Sequence, residues 1–325
     1  MTNAPTHLFT GAGGVRIAAD VAGEGPPVLF VHGFPELRQS WARLSAAAAE
    51  AGYRACAIDV RGYGDSDAPP EVADYRMELM VADLAAVAAE LSPGQPVTLV
   101  GHDWGAAIVW NAAMARPDIF GAVAALSIPW SGRAKMPFDE LFTQRFTAKN
   151  RFFYQAYFQQ PGVAEMELEA DPARFLKAFY HTISGDAAPG DWPNDKTADM
   201  TLMQGLRFPD RVPPWLHQGY FEAAVSQFSR SGFRGPLNRY RNHQRDFVWA
   251  GQFDPVIRIP ALFIGGASDP ALVLGSADPL PIMRDHVPGV ETHMLEGCGH
   301  WIQAERASEV ETLLLDWLRR TIRVC

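Results

Sequence analysis

The sequence predicts an α/β chain: a mostly parallel sheet flanked by helices and interrupted by a helical insertion. Short, continuous apolar runs recur at Val28–Val31, Ala55–Ile58, Val97–Val100 and Ala122–Ile128. Unbroken runs suit strands buried on both faces of a parallel sheet. Helical periodicity lies between them. Met77, Met80, Val81, Leu84, Val87, Ala88 and Leu91 form one stripe of 3.6-residue period, which Pro93-Gly94 ends. After Pro129 this alternation gives way to a long helical stretch, and strand signals return only at Ala261–Ile264.

Taken in order, Val28–Val31 leads into the turn His32-Gly33-Phe34-Pro35, and Ala55–Ile58 carries Cys56 as a small core residue. Val97–Val100 is followed by a predicted helix over Ala106–Ala115 that opens with small residues. From Ser131 to about Phe247 the chain is aromatic-rich, with Phe142, Phe146, Phe152, Phe153, Tyr154, Tyr157 and Phe158 in one stretch. Glu222–Phe228 reads as an amphipathic helix, and Pro189-Gly190-Asp191-Trp192-Pro193 and Pro213-Pro214 as loops. Glu291–Leu295 is a further strand. The last helix is expected to start from a capping box, Ser308-Glu309-Val310-Glu311, with Val310, Leu313, Leu314, Trp317 and Leu318 on one face. The division that follows is a core over 1–130 and 248–325, split by a helical cap over 131–247.

At 325 residues and 48% hydrophobic content the chain can bury a large core. A formal net charge of −9 disfavours nucleic acid as a partner. No apolar run approaches the roughly 18 residues of a membrane span. The N-terminal residues lack the basic and apolar regions of a secretory leader. Cys56, Cys298 and Cys325 are scattered and odd in number, which speaks against a disulfide framework or a zinc cluster and favours a cytoplasmic location.

The chemistry centres on Gly101-His102-Asp103-Trp104-Gly105, set between the strand ending at Val100 and the helix that follows. The spacing Gly-x-Asp-x-Gly is that of a strained strand-to-helix turn that presents a nucleophile, with glycines letting the backbone pass close to itself. A carboxylate there can attack an sp3 carbon and form an alkyl ester that a second step must hydrolyse. The pentapeptide alone also fits an aspartate serving only as a helix N-cap. The Gly33-Phe34 turn follows a strand, so the Phe34 and Trp104 N–H groups can form an oxyanion hole; an ordinary βα turn fits equally. His300, in Gly297-Cys298-Gly299-His300-Trp301, lies on a glycine-rich loop after the last strand. Asp269, in Gly265-Gly266-Ala267-Ser268-Asp269-Pro270, could orient it; Asp278, in a second Asp-Pro pair, is the rival. By pattern alone Tyr154 and Tyr240 are aromatic packing.

These motifs resemble the α/β-hydrolase-fold epoxide hydrolases over nearly the whole chain. The His-Gly-x-Pro turn at 32–35, Asp59-Val60-Arg61-Gly62-Tyr63-Gly64-Asp65-Ser66, the Gly-His-Asp-Trp-Gly elbow and Gly-Cys-Gly-His-Trp at 297–301 match a core shared with haloalkane dehalogenases. The segments Tyr-Gln-x-Tyr-Phe-Gln-x-Pro-Gly from Tyr154 and Ser231-Gly-Phe-Arg-Gly-Pro-Leu-Asn-x-Tyr-Arg-Asn are closer to soluble epoxide hydrolases in particular. The resemblance implies that Tyr154 and Tyr240 hydrogen-bond the epoxide oxygen and that Tyr157 is a packing residue. Asp103 would attack a ring carbon, and His300, oriented by Asp269, would activate water to hydrolyse the ester to a vicinal diol. By the same analogy the Phe34-Pro35 bond is cis. No metal or organic cofactor is needed. The substrate expected is an apolar small-molecule epoxide lying against Phe34, Trp104, Gln155 and Phe158, and a homodimer is compatible with this reading.

Three other readings share parts of this pattern. A haloalkane or haloacid dehalogenase uses the same aspartate and histidine but needs N–H donors for halide, and Phe34 stands where many have asparagine. A serine esterase would need a hydroxyl at 103. A non-catalytic ligand receptor on this fold usually lacks a member of the triad.

Overall fold

The computed structural model describes residues 6–272 and 278–322; Cys325 and the first five residues lie outside the described residues. Its strands are β1 (Thr6–Thr10), β2 (Arg16–Ala22), β3 (Pro27–Val31), β4 (Arg54–Ile58), β5 (Val97–His102), β6 (Phe120–Leu126), β7 (Ala261–Gly266) and β8 (Glu291–Leu295). They form one sheet in the order β1-β2-β4-β3-β5-β6-β7-β8, with β1 and β2 antiparallel to their neighbours and the rest parallel. The helices are α1 (Ala42–Glu50), α2 (Met77–Leu91), α3 (Trp104–Ala115), α4 (Phe138–Arg145), α5 (Tyr154–Tyr157), α6 (Val163–Ala170), α7 (Pro172–Thr182), α8 (Gln218–Ser231), α9 (Arg234–Arg239), α10 (His243–Ala250), α11 (Leu280–His286), α12 (Ile302–Glu305) and α13 (Ala307–Thr321).

Each predicted apolar run is a strand, and all five residues of β3 are buried. Leu29 and Val31 join α2 and α3 side chains such as Leu84, Val109 and Trp110 in one cluster. Val28 and Phe30 join Leu44 and Ala48 of α1 and Leu314 and Trp317 of α13 in the other. Two buried faces explain why these strands read as continuous rather than alternating apolar runs. Helices α4 to α10 all fall between β6 and β7, so the aromatic-rich stretch is a helical insertion.

Local boundaries differ in three places. Helix α3 starts at Trp104, two residues before the predicted Ala106, because the turn at Asp103 already directs the chain into the helix. Strand β6 ends at Leu126 instead of Ile128, since Ser127 takes a positive φ of 69°. The capping box at Ser308 does not form. Helix α13 begins at Ala307 with Arg306 as N-cap and no side-chain cap bond, and the Ser308 hydroxyl accepts from Arg43 Nη2 at 2.9 Å. The preceding helix α12 ends only two residues earlier, which leaves no extended residue at Ser308 to act as a cap.

The parallel strands place the site. From β3 the chain goes to β4 on one side of it and later to β5 on the other, so the C-terminal ends of β3 and β5 flank the point where strand order reverses. Crevices at such points are where open α/β sheets bind ligands.

Candidate active site

Four loops leave the sheet at its C-terminal edge and meet above it. The Gly33-Phe34-Pro35 turn follows β3, Asp103 follows β5, Asp269 follows β7 and His300 follows β8. Asp103 has φ 51° and ψ −119°, a conformation that costs a non-glycine residue about 1–3 kcal/mol and that surrounding structure must enforce. The elbow glycines allow the close approach. A Cβ on Gly105 would collide with the Val31 carbonyl, and one on Gly101 with the Gly105 carbonyl.

His300 lies between two carboxylates. Its Nδ1 is 3.0 Å from Asp269 Oδ2 and 3.1 Å from Oδ1, and its Nε2 is 3.4 Å from Asp103 Oδ2. The Asp103 side chain is 16% exposed, against 4% for His300 and 0% for Asp269, so Asp103 is the member of the three open to an incoming molecule. Burial opposes a charged imidazole, but Asp269 and Asp103 together hold the His300 pKa well above its ordinary value. Burial likewise raises the Asp103 carboxyl, and His300, His102 and the Phe34 N–H bring it below the usual carboxylate range. Both carboxylates thus favour the charged form of the imidazole. Asp278 takes no part: it is exposed, and its carboxylate accepts the Leu280 N–H at the start of α11.

The Phe34 N–H donates to Asp103 Oδ1 at 2.8 Å, and the Phe34-Pro35 peptide is cis. Trp104 opens α3, where first-turn N–H groups have no acceptor within the helix. Asp103 thus has one oxygen held by a backbone donor and the other facing His300.

The insertion supplies the opposite wall. Tyr154 and Tyr240 lie with ring centroids 6.0 Å apart, and Phe158 sits 5.6 Å from the first and 5.0 Å from the second. Gln155 Nε2 donates to the Tyr154 hydroxyl at 2.9 Å. Gln159 Nε2 donates to the carbonyls of both Gln155 and Tyr240, and Arg241 Nε to the Phe158 carbonyl, tying the two tyrosine segments together. Burial first, and then the Asp103 charge, keep both phenol pKa values well above normal. Tyr157 points elsewhere, donating to Glu167 Oε2 at 2.8 Å. The Phe34 ring is buried against Tyr240, Phe158, Phe179, Phe175 and Phe233 at 5.5–6.4 Å. The sequence-predicted residues are therefore brought into one site, with Asp278 left out.

Sequence reasoning missed a buried polar network beneath it. Glu36 accepts the Gly33 N–H at 3.0 Å, a Gln303 Nε2–H at 2.7 Å, and faces His102 Nδ1 at 2.7 Å. His102 Nε2 lies 2.8 Å from the His300 carbonyl, which also accepts from Ser127 Oγ. This network joins the loops after β3, β5, β6 and β8. One sequence signal was present: His102 is a polar residue that closes the buried strand β5, whereas Glu36 lies in the turn five residues beyond β3. Among the described residues no group of three or more His, Cys, Asp or Glu could hold a metal, and no helix is long and apolar enough to cross a membrane.

Comparison with known proteins places the chain in a family. The profile of the α/β hydrolase fold family matches residues 26–187. The chain is 38% identical to epoxide hydrolase A of Mycobacterium tuberculosis, over 97% of this chain and 98% of that protein. It is 36% identical to the rat bifunctional epoxide hydrolase 2 over 95% of this chain, and spans about half of that longer protein, 54%. Among solved structures, an epoxide hydrolase from an endophytic Streptomyces superposes with a TM-score of 0.91 at 40% identity, covering 98% of this chain and 96% of that one. Likeness that runs end to end, in sequence and in backbone, to proteins of one activity makes this chain a member of the α/β-hydrolase-fold epoxide hydrolases, hydrolases of the epoxide ether bond.

Proposed function

We propose that the chain converts epoxides to vicinal diols through an alkyl ester on Asp103. The observation that carries this reading is the division of labour at the carboxylate. Oδ1 is held by the Phe34 N–H, and Oδ2 lies 3.4 Å from His300 Nε2, on a side chain that stays 16% exposed. Oδ2 attacks a ring carbon, the carbon–oxygen bond of the epoxide breaks, and its electron pair passes to the ring oxygen. That oxygen takes a proton from Tyr154 or Tyr240, whose raised pKa values keep them protonated near neutral pH.

Esterification removes the charge of Asp103, and with it one of the two carboxylates that hold His300 protonated. The imidazolium gives up its proton, which restores the phenol, and the neutral imidazole becomes a base with Asp269 still orienting it. It takes a proton from water, and the hydroxide attacks the Asp103 carboxyl carbon. The oxyanion forms at Oδ1, beside the Phe34 and Trp104 N–H groups. Breaking the alkyl–oxygen link to the carboxyl carbon releases the alcohol, which takes the proton from His300. The second water proton leaves the restored acid and returns His300 to its protonated state, so the net reaction is epoxide plus water to diol.

Residues 131–247 act as a cap on a core of 1–130 and 248–325. Phe34, Trp104, Gln155 and Phe158 line the substrate side, and their aromatic surface favours lipid or aryl epoxides. Wild type, Tyr154→Phe, Tyr240→Phe and the double variant are to be compared with an aryl epoxide by following diol and ester formation. Diol from wild type, with ester formation slowed about 100- to 10,000-fold in the double variant, is the expected result. Halide release from haloalkanes without diol, or ligand binding without consumption, would contradict it.

A further inference from the structure

Arg239 directly precedes Tyr240 and is buried. Its guanidinium lies over the face of the Trp104 indole, with Cζ 4.4 Å from the ring centroid. Nη1 donates to the Tyr75 carbonyl at 2.6 Å, and Nη2 pairs with Asp246. The other Asp246 oxygen accepts the Met77 N–H at the start of α2, so the guanidinium is anchored to the core on two sides. Trp104 in turn meets the Tyr240 ring edge to face, with centroids 5.1 Å apart and planes at 85°. His243 stacks on the indole at 6.4 Å, and burial together with the Arg239 charge drives its pKa down to about 3, so it is neutral. The cation in contact with Trp104 is therefore Arg239.

We infer that Arg239 is a positioning residue for ring opening: it clamps Trp104 of the elbow against Tyr240 of the insertion and polarises the indole towards the phenol oxygen. This inference rests on the reading of Tyr240 as a donor to the epoxide. A cation over an aromatic face draws electron density from the ring and leaves its edge more positive. Burial, Asp103 and neighbouring tyrosines push the Tyr240 phenol up, and the Trp104 indole N–H is the group that pulls it back. When Tyr240 gives its proton to the opening ring, the negative charge left on its oxygen meets that polarised edge. Ester hydrolysis develops its charge elsewhere, at Asp103 Oδ1 beside backbone donors, so Arg239 affects the first step and not the second.

The test is single-turnover rapid quench with an aryl epoxide, measuring ester formation and decay on Asp103 by mass. It compares wild type, Arg239→Met, Arg239→Lys and Tyr240→Phe, with thermal melts alongside. The expected result is ester formation slowed about 10- to 100-fold in Arg239→Met, with decay within about twofold of wild type and partial recovery in Arg239→Lys. If Arg239→Met does not fold, Arg239→Lys carries the test: its formation should be several-fold slower and its decay unchanged, since it keeps the charge but loses the planar fork. Wild-type formation rates in the folded Arg239 variants beside a slow Tyr240→Phe would overturn the inference, as would equal losses in both steps. Normal ester formation in Tyr240→Phe would overturn its premise, the donor role of Tyr240, and would be seen separately from any effect at Arg239.

Discussion

His300 is where charge and timing meet. In the resting protein it lies 3.0 Å from one carboxylate and 3.4 Å from another, and both raise its pKa. Ring opening needs an ionised Asp103, whose depressed pKa supplies it across the neutral range. Hydrolysis needs a neutral imidazole, which becomes available once Asp103 is an ester. The two steps should therefore respond differently to pH. Ester formation should stay level from mild acid to neutral pH, while ester decay should rise with pH through the His300 pKa of the alkylated protein. Stopped-flow measurement of each step from pH 5 to 9 checks this, and parallel profiles for both steps would contradict it. Asp269→Asn should slow decay about 1,000-fold while leaving formation far less affected, because the imidazole loses both its orienting partner and the support for its charge.

The insertion depends on small fastenings between its helices. Lys196 is buried in the loop between α7 and α8, and its Nζ donates to the carbonyls of Thr201, Leu202 and Gln204, each at 2.8 Å. Its own carbonyl accepts the Phe152 N–H, just before α5 and Tyr154. Lys196→Met should strand three acceptors and destabilise the protein by about 2–4 kcal/mol, lowering the melting temperature by several degrees. An unchanged melt would show that water replaces the ammonium at no cost. Nothing in the sequence announced this clasp, because a lone lysine in a polar loop looks solvated. The strands β3 to β7 were legible because burial on both faces wrote them as apolar runs. Strands β1 and β2 escaped notice because Leu8 at the sheet edge is exposed and only Ile17, Ala18 and Ala19 of β2 are buried. Asp103 and His300 could be found from strand-end turns, whereas Glu36 and Gln303 meet only in three dimensions, across 267 positions of chain. The Ser308 box failed for a related reason: helix starts are set by the element packed before them as well as by local residue type.

At the scale of the whole molecule, the site's charges couple stability to pH. The His300 pKa is raised on folding, so its contribution is fully present below the ordinary imidazole value and is lost as pH rises through the folded value. Asp103 and Glu36 are depressed, so their contributions are present above the ordinary carboxylate values and are lost as pH falls through the folded ones. Lys196 works in the opposite sense on the alkaline side. Burial brings its pKa down to about 8, so folding becomes more favourable as pH rises from there to the ordinary lysine value. The readout is therefore the difference between wild type and His300→Gln. Wild type should lose melting temperature relative to the variant as pH rises above neutral, and superimposable curves from pH 6 to 10 would contradict the charge assignment at His300. The same site joins core to insertion, so the proposed chemistry requires both. The most direct test is mass spectrometry of the Asp103 peptide after brief incubation of the His300→Gln variant with an aryl epoxide. A mass gain equal to the epoxide, confined to that peptide, is expected; an unmodified Asp103 in a variant that still consumes epoxide would contradict the ester mechanism.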